Sequence, residues 1–299
     1  MVEKRDRVNN YNLGGHSGCQ IYLMESDDGS VYVRKISKDR EYNKRLKLQS
    51  EKQAAFSSVP IKAPKVLNSG YTEDGLYYFD MEYIQGITLA EYIKTMEIGK
   101  IKGLVEALVA SIVPKTPADL TTEEQDRVID VFNNKIVNLR AVLENKKNDI
   151  IDRSLERLAH HDWSKLTPSP CHGDMTLENI IVKNDQLYFI DFLDSFYDSW
   201  FLDVGTLLQD VQVMWSYRFQ KDISMNTVLR LIVFRDLLLL EIKKVNPAYV
   251  LEIYYSLLQK LIRIYPYTED ELTYQFLNEK TNLVLQSINR LEKAMGEDV

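Results

Sequence analysis

The sequence predicts an α+β chain of two lobes, a small antiparallel β-sheet lobe with one helix followed by a large, mainly helical lobe. Three observations lead there. The first 85 residues hold short β-branched and aromatic runs punctuated by Gly, Asp and Asn. From Thr88 onward the apolar spacing is mostly helical. Inside that helical half, one β-type segment at 180–192 stands alone around Lys183-Asn184-Asp185. The division is placed at residues 1–85 for the first lobe and 87–299 for the second, with a connector at 82–86.

In chain order, 20–25 and 31–36 read as strands of one hairpin, turned by Asp27-Asp28-Gly29-Ser30. Residues 40–56 read as a helix with Leu46, Leu48, Ala54, Ala55 and Phe56 as its apolar positions, ended by Pro60 and Pro64. Strands at 66–67 and 76–83 follow, joined across 72–75. Helices are expected at 89–96, 101–112, 121–146, with Thr121 and Glu124 at its start, and 153–161. Pro168 and Pro170 interrupt the pattern, and helices resume past residue 200.

Composition bounds the function. Of 299 residues, 45% are hydrophobic and 27% charged, ordinary values for a soluble globular protein. A formal net charge of -7 argues against nucleic acid and membrane surfaces, both anionic, and tolerates a cationic substrate. Cys19 and Cys171 lie far apart, and four histidines are scattered, so neither a disulfide framework nor a zinc site is expected. The first 30 residues lack the apolar core of a secretory signal, and no apolar run approaches a membrane span. A cytoplasmic protein, monomeric or weakly dimeric, is the expectation.

The informative stretch is Cys171-His172-Gly173-Asp174-Met175-Thr176-Leu177-Glu178-Asn179, followed by Leu187-Tyr188-Phe189-Ile190-Asp191-Phe192. An Asp on a proline-flanked loop precedes an Asn by five residues, and a second Asp ends an apolar strand twelve residues later. Phosphoryl transfer needs such parts: a carboxylate to orient and deprotonate a hydroxyl, and hard oxygen ligands for the magnesium that offsets phosphate charge. Asp174 then reads as base, and Asn179 and Asp191 as metal ligands. The stretch resembles the His-Gly-Asp…Asn motif of the aminoglycoside phosphotransferase and choline kinase family, which implies a protein-kinase-like fold. The resemblance extends to Asp203 in Phe201-Leu202-Asp203-Val204-Gly205, which by that likeness braces the catalytic loop through His172 or its backbone.

The same resemblance asks the first lobe for four parts in order. Leu13-Gly14-Gly15-His16-Ser17-Gly18 is the glycine-rich candidate; Gly14, Gly15, Ser17 and Gly18 would approach phosphates, although Leu13 stands where protein kinases have a first glycine. Strand alternation puts Val33 and Lys35 on one face, Val33 toward adenine and Lys35 toward phosphates. Glu51, preferred over Glu41, would pair with Lys35 from mid-helix. Phe79-Asp80-Met81-Glu82-Tyr83-Ile84-Gln85-Gly86 resembles the hinge, with adenine bonded near Glu82, Tyr83 and Ile84.

The implied reaction is transfer of the γ-phosphate of ATP, with GTP as another donor, to a hydroxyl of an amino alcohol, sugar or aminosugar. Asp194, Tyr197, Trp200 and Trp215, with Ser195 and Tyr217, are candidate acceptor residues. A non-catalytic nucleotide-binding scaffold and an antibiotic-resistance phosphotransferase are the alternatives. A protein kinase is disfavoured, because Asp191-Phe192-Leu193 lacks the glycine of Asp-Phe-Gly and twelve residues to Asp203 leave no room for a long activation segment.

Overall fold

The structure is a computed structural model. It describes residues 7–12, 18–114, 119–146 and 148–296, with the backbone alone for 7–12. Two compact units emerge: described residues up to Leu89 together with Asn179–Asp194, and Ala90–Glu178 together with Ser195 onward.

The first unit carries two sheets. Strands β1 (Arg7–Asn12), β2 (Gln20–Glu25), β3 (Val31–Ile36), β5 (Val66–Tyr71) and β6 (Tyr77–Glu82) form an antiparallel sheet in the order β1-β2-β3-β6-β5. The β2–β3 turn is fixed locally: Asp28 accepts from the Ser30 N–H and the Ser26 hydroxyl. Under the sheet lies a core of Cys19, Val33, Tyr42, Leu46, Tyr77, Phe79 and Met81.

Helix α1 (Asn43–Ala55) supplies one apolar side chain, the predicted Leu46, to that core; Phe56 just beyond it packs on Phe189 and Phe192, and the other predicted apolar positions face outward. Leu48 is 46% exposed, and Ala54 and Ala55 are exposed as well. The buried stripe is Leu46, Gln49, Ser50 and Gln53, the i, i+3, i+4, i+7 set of one helix face. Each polar member finds a partner: Ser50 meets the Tyr77 hydroxyl at 2.9 Å, Gln53 donates to the Pro64 carbonyl at 2.9 Å and Gln49 donates to the Tyr42 hydroxyl at 3.1 Å, leaving the buried Gln49 Oε1 without a partner among the described residues. Buried amides are tolerated when paired in this way.

The second sheet runs β4 (Ile61–Lys62), β9 (Gln186–Phe189), β8 (Ile180–Lys183), β7 (Ile87–Thr88). The β8–β9 hairpin turns at Asn184 (φ 50°) and Asp185 (φ 60°), residue types that accept left-handed backbone. Gly86 is held by close approach, since a Cβ there would lie 2.4 Å from the Val182 carbonyl oxygen. These pairings group 179–194 with the first unit, whereas the sequence division assigned them to 87–299.

The second unit is helical: α2 (Leu89–Thr95, whose first residue closes the first unit), α3 (Ile101–Ile112), α4 (Thr122–Val142), α5 (Asp149–His160), α6 (Trp200–Val211), α7 (Met225–Val245), α8 (Tyr249–Ile262) and α9 (Glu271–Met295). The expected cap is present at α4 and takes the form of a capping box, with Thr121 and Glu124 reciprocally bonded. Asn148 caps α5 and starts it earlier than the periodicity suggested. Every residue of α6 and all of α8 but Tyr249 are buried, so these two helices form the centre of the unit. Among the described residues no helix is long and apolar enough to cross a membrane.

Candidate active site

In the first unit the β8–β9 hairpin brings the two predicted metal ligands together. Ile180 pairs with Phe189, and the Ile190 N–H donates to the Asn179 carbonyl at 3.0 Å, so Asn179 and Asp191 flank the open end of one hairpin. Asp191 has φ 60°, a left-handed conformation that costs on the order of 1 kcal/mol outside glycine and that Asp tolerates better than most residues. From there its carboxylate accepts from Lys35 Nζ at 2.5 Å. Lys35 is 2% exposed, held in the centre of the sheet between the β2 and β6 ladders.

Lys35 therefore pairs with Asp191 and not with Glu51. Glu51 lies one position off the buried stripe of α1, its side chain is 58% exposed, and its nearest cation is Lys47 at 4.0 Å. Glu41 is exposed too. Glu51→Ala is expected to leave the nucleotide KM unchanged and to shift stability by no more than about 0.5 kcal/mol, read from steady-state kinetics and thermal melts.

What α1 does instead is grip the segment after Asp191. Arg45 makes a forked pair with Asp194 at 2.8 and 3.2 Å, Gln49 donates to the same carboxylate at 3.0 Å, and Lys52 donates to the Leu193 carbonyl at 2.9 Å. Burial pushes the Asp194 carboxyl up, but these hydrogen bonds overcome it and hold the group below its ordinary value. Asp194, expected as an acceptor residue, is a clasp between α1 and the metal-site turn.

Of the nucleotide candidates, Gly18 has φ 75° and needs glycine; Gly14, Gly15 and Ser17 lie outside the described residues. Val33 sits in the core cluster with Leu46 of α1. Glu82 ends β6 with its N–H donating to the Lys65 carbonyl at 2.9 Å, Tyr83 packs on the same core, and Ile84 is buried.

In the second unit the loop bearing Asp174 is clamped by buried acids from α6. Asp203, fully buried, accepts the His172 N–H at 2.5 Å and the Gly173 N–H at 2.8 Å. Burial pushes its carboxyl up, against the pull of His172 and the two N–H donors. Gly173 takes φ 94°, and the buried His172 ring accepts the Asp174 N–H through Nδ1 at 3.2 Å. His172 thus positions the loop. The Asp174 side chain itself is partly open.

Sequence reasoning missed Asp210. Two turns along α6 from Asp203, and equally buried, it accepts the Leu177 N–H at 2.6 Å and both the N–H and hydroxyl of Ser216 at 2.9 and 2.8 Å. The available signal was an acid at i+7 from Asp203 on a mostly apolar helix. Burial lifts its pKa from 3.8 to about 6. A raised carboxyl binds its proton more tightly in the folded state, so its contribution is present in full below pH 3.8 and is lost as pH rises through about 6. Wild type minus Asp210→Asn stability is expected to fall by on the order of 3 kcal/mol between pH 4 and 7, measured by denaturant melts of both proteins.

The remaining acceptor candidates divide. Trp200 is 1% exposed and stacked on Phe201 at 3.9 Å, so it belongs to the core. Tyr217 is buried and donates to the Ala90 carbonyl at 2.7 Å. Tyr197 is half-buried with its hydroxyl bonded to the Leu166 carbonyl at 2.6 Å, and Trp215 is half-buried beneath the Arg218 guanidinium at 4.0 Å.

Against this geometry the comparisons can be set. The profile of the Phosphotransferase enzyme family matches residues 12–229, more than half of the chain and the whole span of the site. The chain belongs to that family. The phosphotransferase also shares its fold with solved kinases. The GDP complex of wild-type aminoglycoside 2'-phosphotransferase-IIIa matches at TM-score 0.60 and 14% identity, over 94% of both chains. A thermostable mutant of aminoglycoside phosphotransferase APH(4)-Ia, with ADP and hygromycin B, matches at 0.59 and 14%, again over 94% of both. The amicoumacin kinase hAmiN, with AMP-PNP and Ca2+, matches at 0.54 and 14% identity, over 94% of this chain and 88% of that one. The search of curated proteins finds no match. The expected family and kinase-like fold are thus borne out, and the chain is a phosphotransferase by its family.

The donor set suits a nucleotide-bound divalent cation. Among the described residues no three His, Cys, Asp or Glu side chains converge to hold a metal alone. Asn179 and Asp191 offer one amide and one carboxylate, the hard oxygen donors that magnesium takes when phosphates and water complete its shell.

Proposed function

We propose that the phosphotransferase uses ATP with magnesium and passes the γ-phosphate to a hydroxyl of a small molecule. The observation that carries this reading is the Lys35–Asp191 pair at 2.5 Å beside Asn179. A buried ammonium next to two hard oxygen donors suits a metal-bound triphosphate, the metal supplying charge compensation and Lys35 contacting phosphate oxygens. Asp174 then orients the acceptor hydroxyl and takes its proton, on a loop held still by Asp203 and Asp210. GTP is the other candidate donor. Cytoplasmic residence as a monomer or weak dimer goes with this reading.

The test is an ADP-release screen with ATP and magnesium across amino alcohols, sugars and aminosugars, with Asp174→Asn as the blank. A strong hit names the acceptor class. Silence across the panel, with nucleotide still bound, would favour a binding scaffold.

A further inference from the structure

We propose that the acceptor carries an anionic group, a carboxylate or a phosphate ester, held by Lys135 and Arg263 beside the Asp174 loop. This rests on the reading of Asp174 as the base.

The argument starts at the end of α8. Lys260 and Arg263 stand three residues apart, on one face of its last turn. Lys260 Nζ donates to the Gly173 carbonyl at 3.3 Å, which sets this face against the residue preceding Asp174. Lys260 is 4% exposed, and its charge answers those of Asp174 and the buried Asp203. Arg263 and Lys135 have no such account. Both are half-buried, and neither has an ion-pair partner among the described residues. Lys135 reaches only the Phe196 ring, 5.4 Å from its centroid.

Arg263 acts on both lysines. Burial depresses the Lys135 ammonium, and the charge of Arg263 depresses it further; Lys260 is depressed by burial and by the same Arg263. The negative end of the α8 dipole explains two of these charges. It does not explain Lys135, which sits in the body of α4. Glu124 stands about three turns earlier on α4, in the Thr121 capping box, and is no counter-ion to it. Half-buried like charges without a counter-ion repel, an arrangement relieved when an anion binds between them. A guanidinium fork beside an ammonium matches carboxylate and phosphate oxygens. Phe196 and Tyr197, packed edge-on against Phe132, give the site an apolar wall for the carbon part of the acceptor.

The charge here is opposite to what a polyamine acceptor needs, and it reverses the hint taken from the net charge of -7. The experiment uses the full chain with ATP, magnesium and matched acceptors: glycerol, glycerate and glycerol 3-phosphate, then glucose, glucuronate, glucosamine and glucose 6-phosphate. The anionic members are expected to show kcat/KM at least ~10-fold above their neutral and amine counterparts. Comparing glycerate with glycerol 3-phosphate tells carboxylate from phosphate. Arg263→Ala and Lys135→Ala should each raise the KM for the preferred anionic acceptor about 10-fold, with the KM for ATP unmoved and partial recovery in Arg263→Lys. Preference for neutral or amine acceptors, or an acceptor KM indifferent to both substitutions, overturns the proposal and spares the kinase reading. An enzyme that phosphorylates nothing on the panel ends both.

Discussion

Asp174→Asn is expected to lower turnover by about 10³-fold while the nucleotide KM stays within about 2-fold. The substitution keeps the side-chain shape and removes the negative charge, and with it the ability to take a proton. The loop should survive it, because backbone contacts that the substitution leaves intact hold position 174. Its N–H donates to His172 Nδ1 at 3.2 Å and its carbonyl accepts from Thr176 at 2.9 Å. The Asp203 clamp acts on His172 and Gly173, one step upstream, and is also untouched. A loss confined to kcat therefore reports chemistry and not misfolding. The measurement is steady-state kinetics with the best acceptor, alongside calorimetric titration of ADP and magnesium. Turnover within tenfold of wild type would remove Asp174 as the base.

The candidate loop and hairpin were legible because their spacing is local. Asp174, Asn179 and Asp191 lie within eighteen residues, on one loop and one short hairpin whose turn residues mark it. Asp203 was legible too, and the structure gives it two backbone N–H groups to hold. Helix α1 was visible as a helix, but not its orientation. Three of its four buried side chains are polar, so hydrophobic periodicity pointed largely to the wrong face, and the preference for Glu51 came from the resemblance alone. What decides that face is the set of partners brought by distant strands, Tyr77, Pro64 and Asp194, which no local pattern encodes. The two-residue strands β4 and β7 were missed for a related reason, since each is defined only by pairing with the hairpin. Asp194 and Trp200 looked like acceptor residues because charge and aromaticity near a site suggest recognition. Burial and pairing turned one into a clasp and the other into core.

Asp191→Asn should separate two duties of one carboxylate. Asparagine accepts φ 60° at least as readily as aspartate, so the turn should persist. Two losses are expected. Lys35, with its side chain 3% exposed, loses its anionic partner, which costs stability. Removing one member of a fully buried pair costs about 3–5 kcal/mol; Asp191 is about a third exposed and screened by water, so on the order of 2 kcal/mol is expected here. Independently, the divalent cation loses its only charged ligand from the hairpin, and nucleotide affinity in magnesium should fall by about 100-fold. Lys35→Met tells the two apart. In the double variant Lys35→Met/Asp191→Asn no unpaired buried ammonium remains, so melts should recover part of the lost stability, as expected for two groups in direct contact. Nucleotide binding should not recover, because the metal ligand is still missing. If magnesium-dependent ADP binding in Asp191→Asn matches wild type while stability falls, Asp191 serves only to neutralise Lys35 and the metal assignment at this position is wrong.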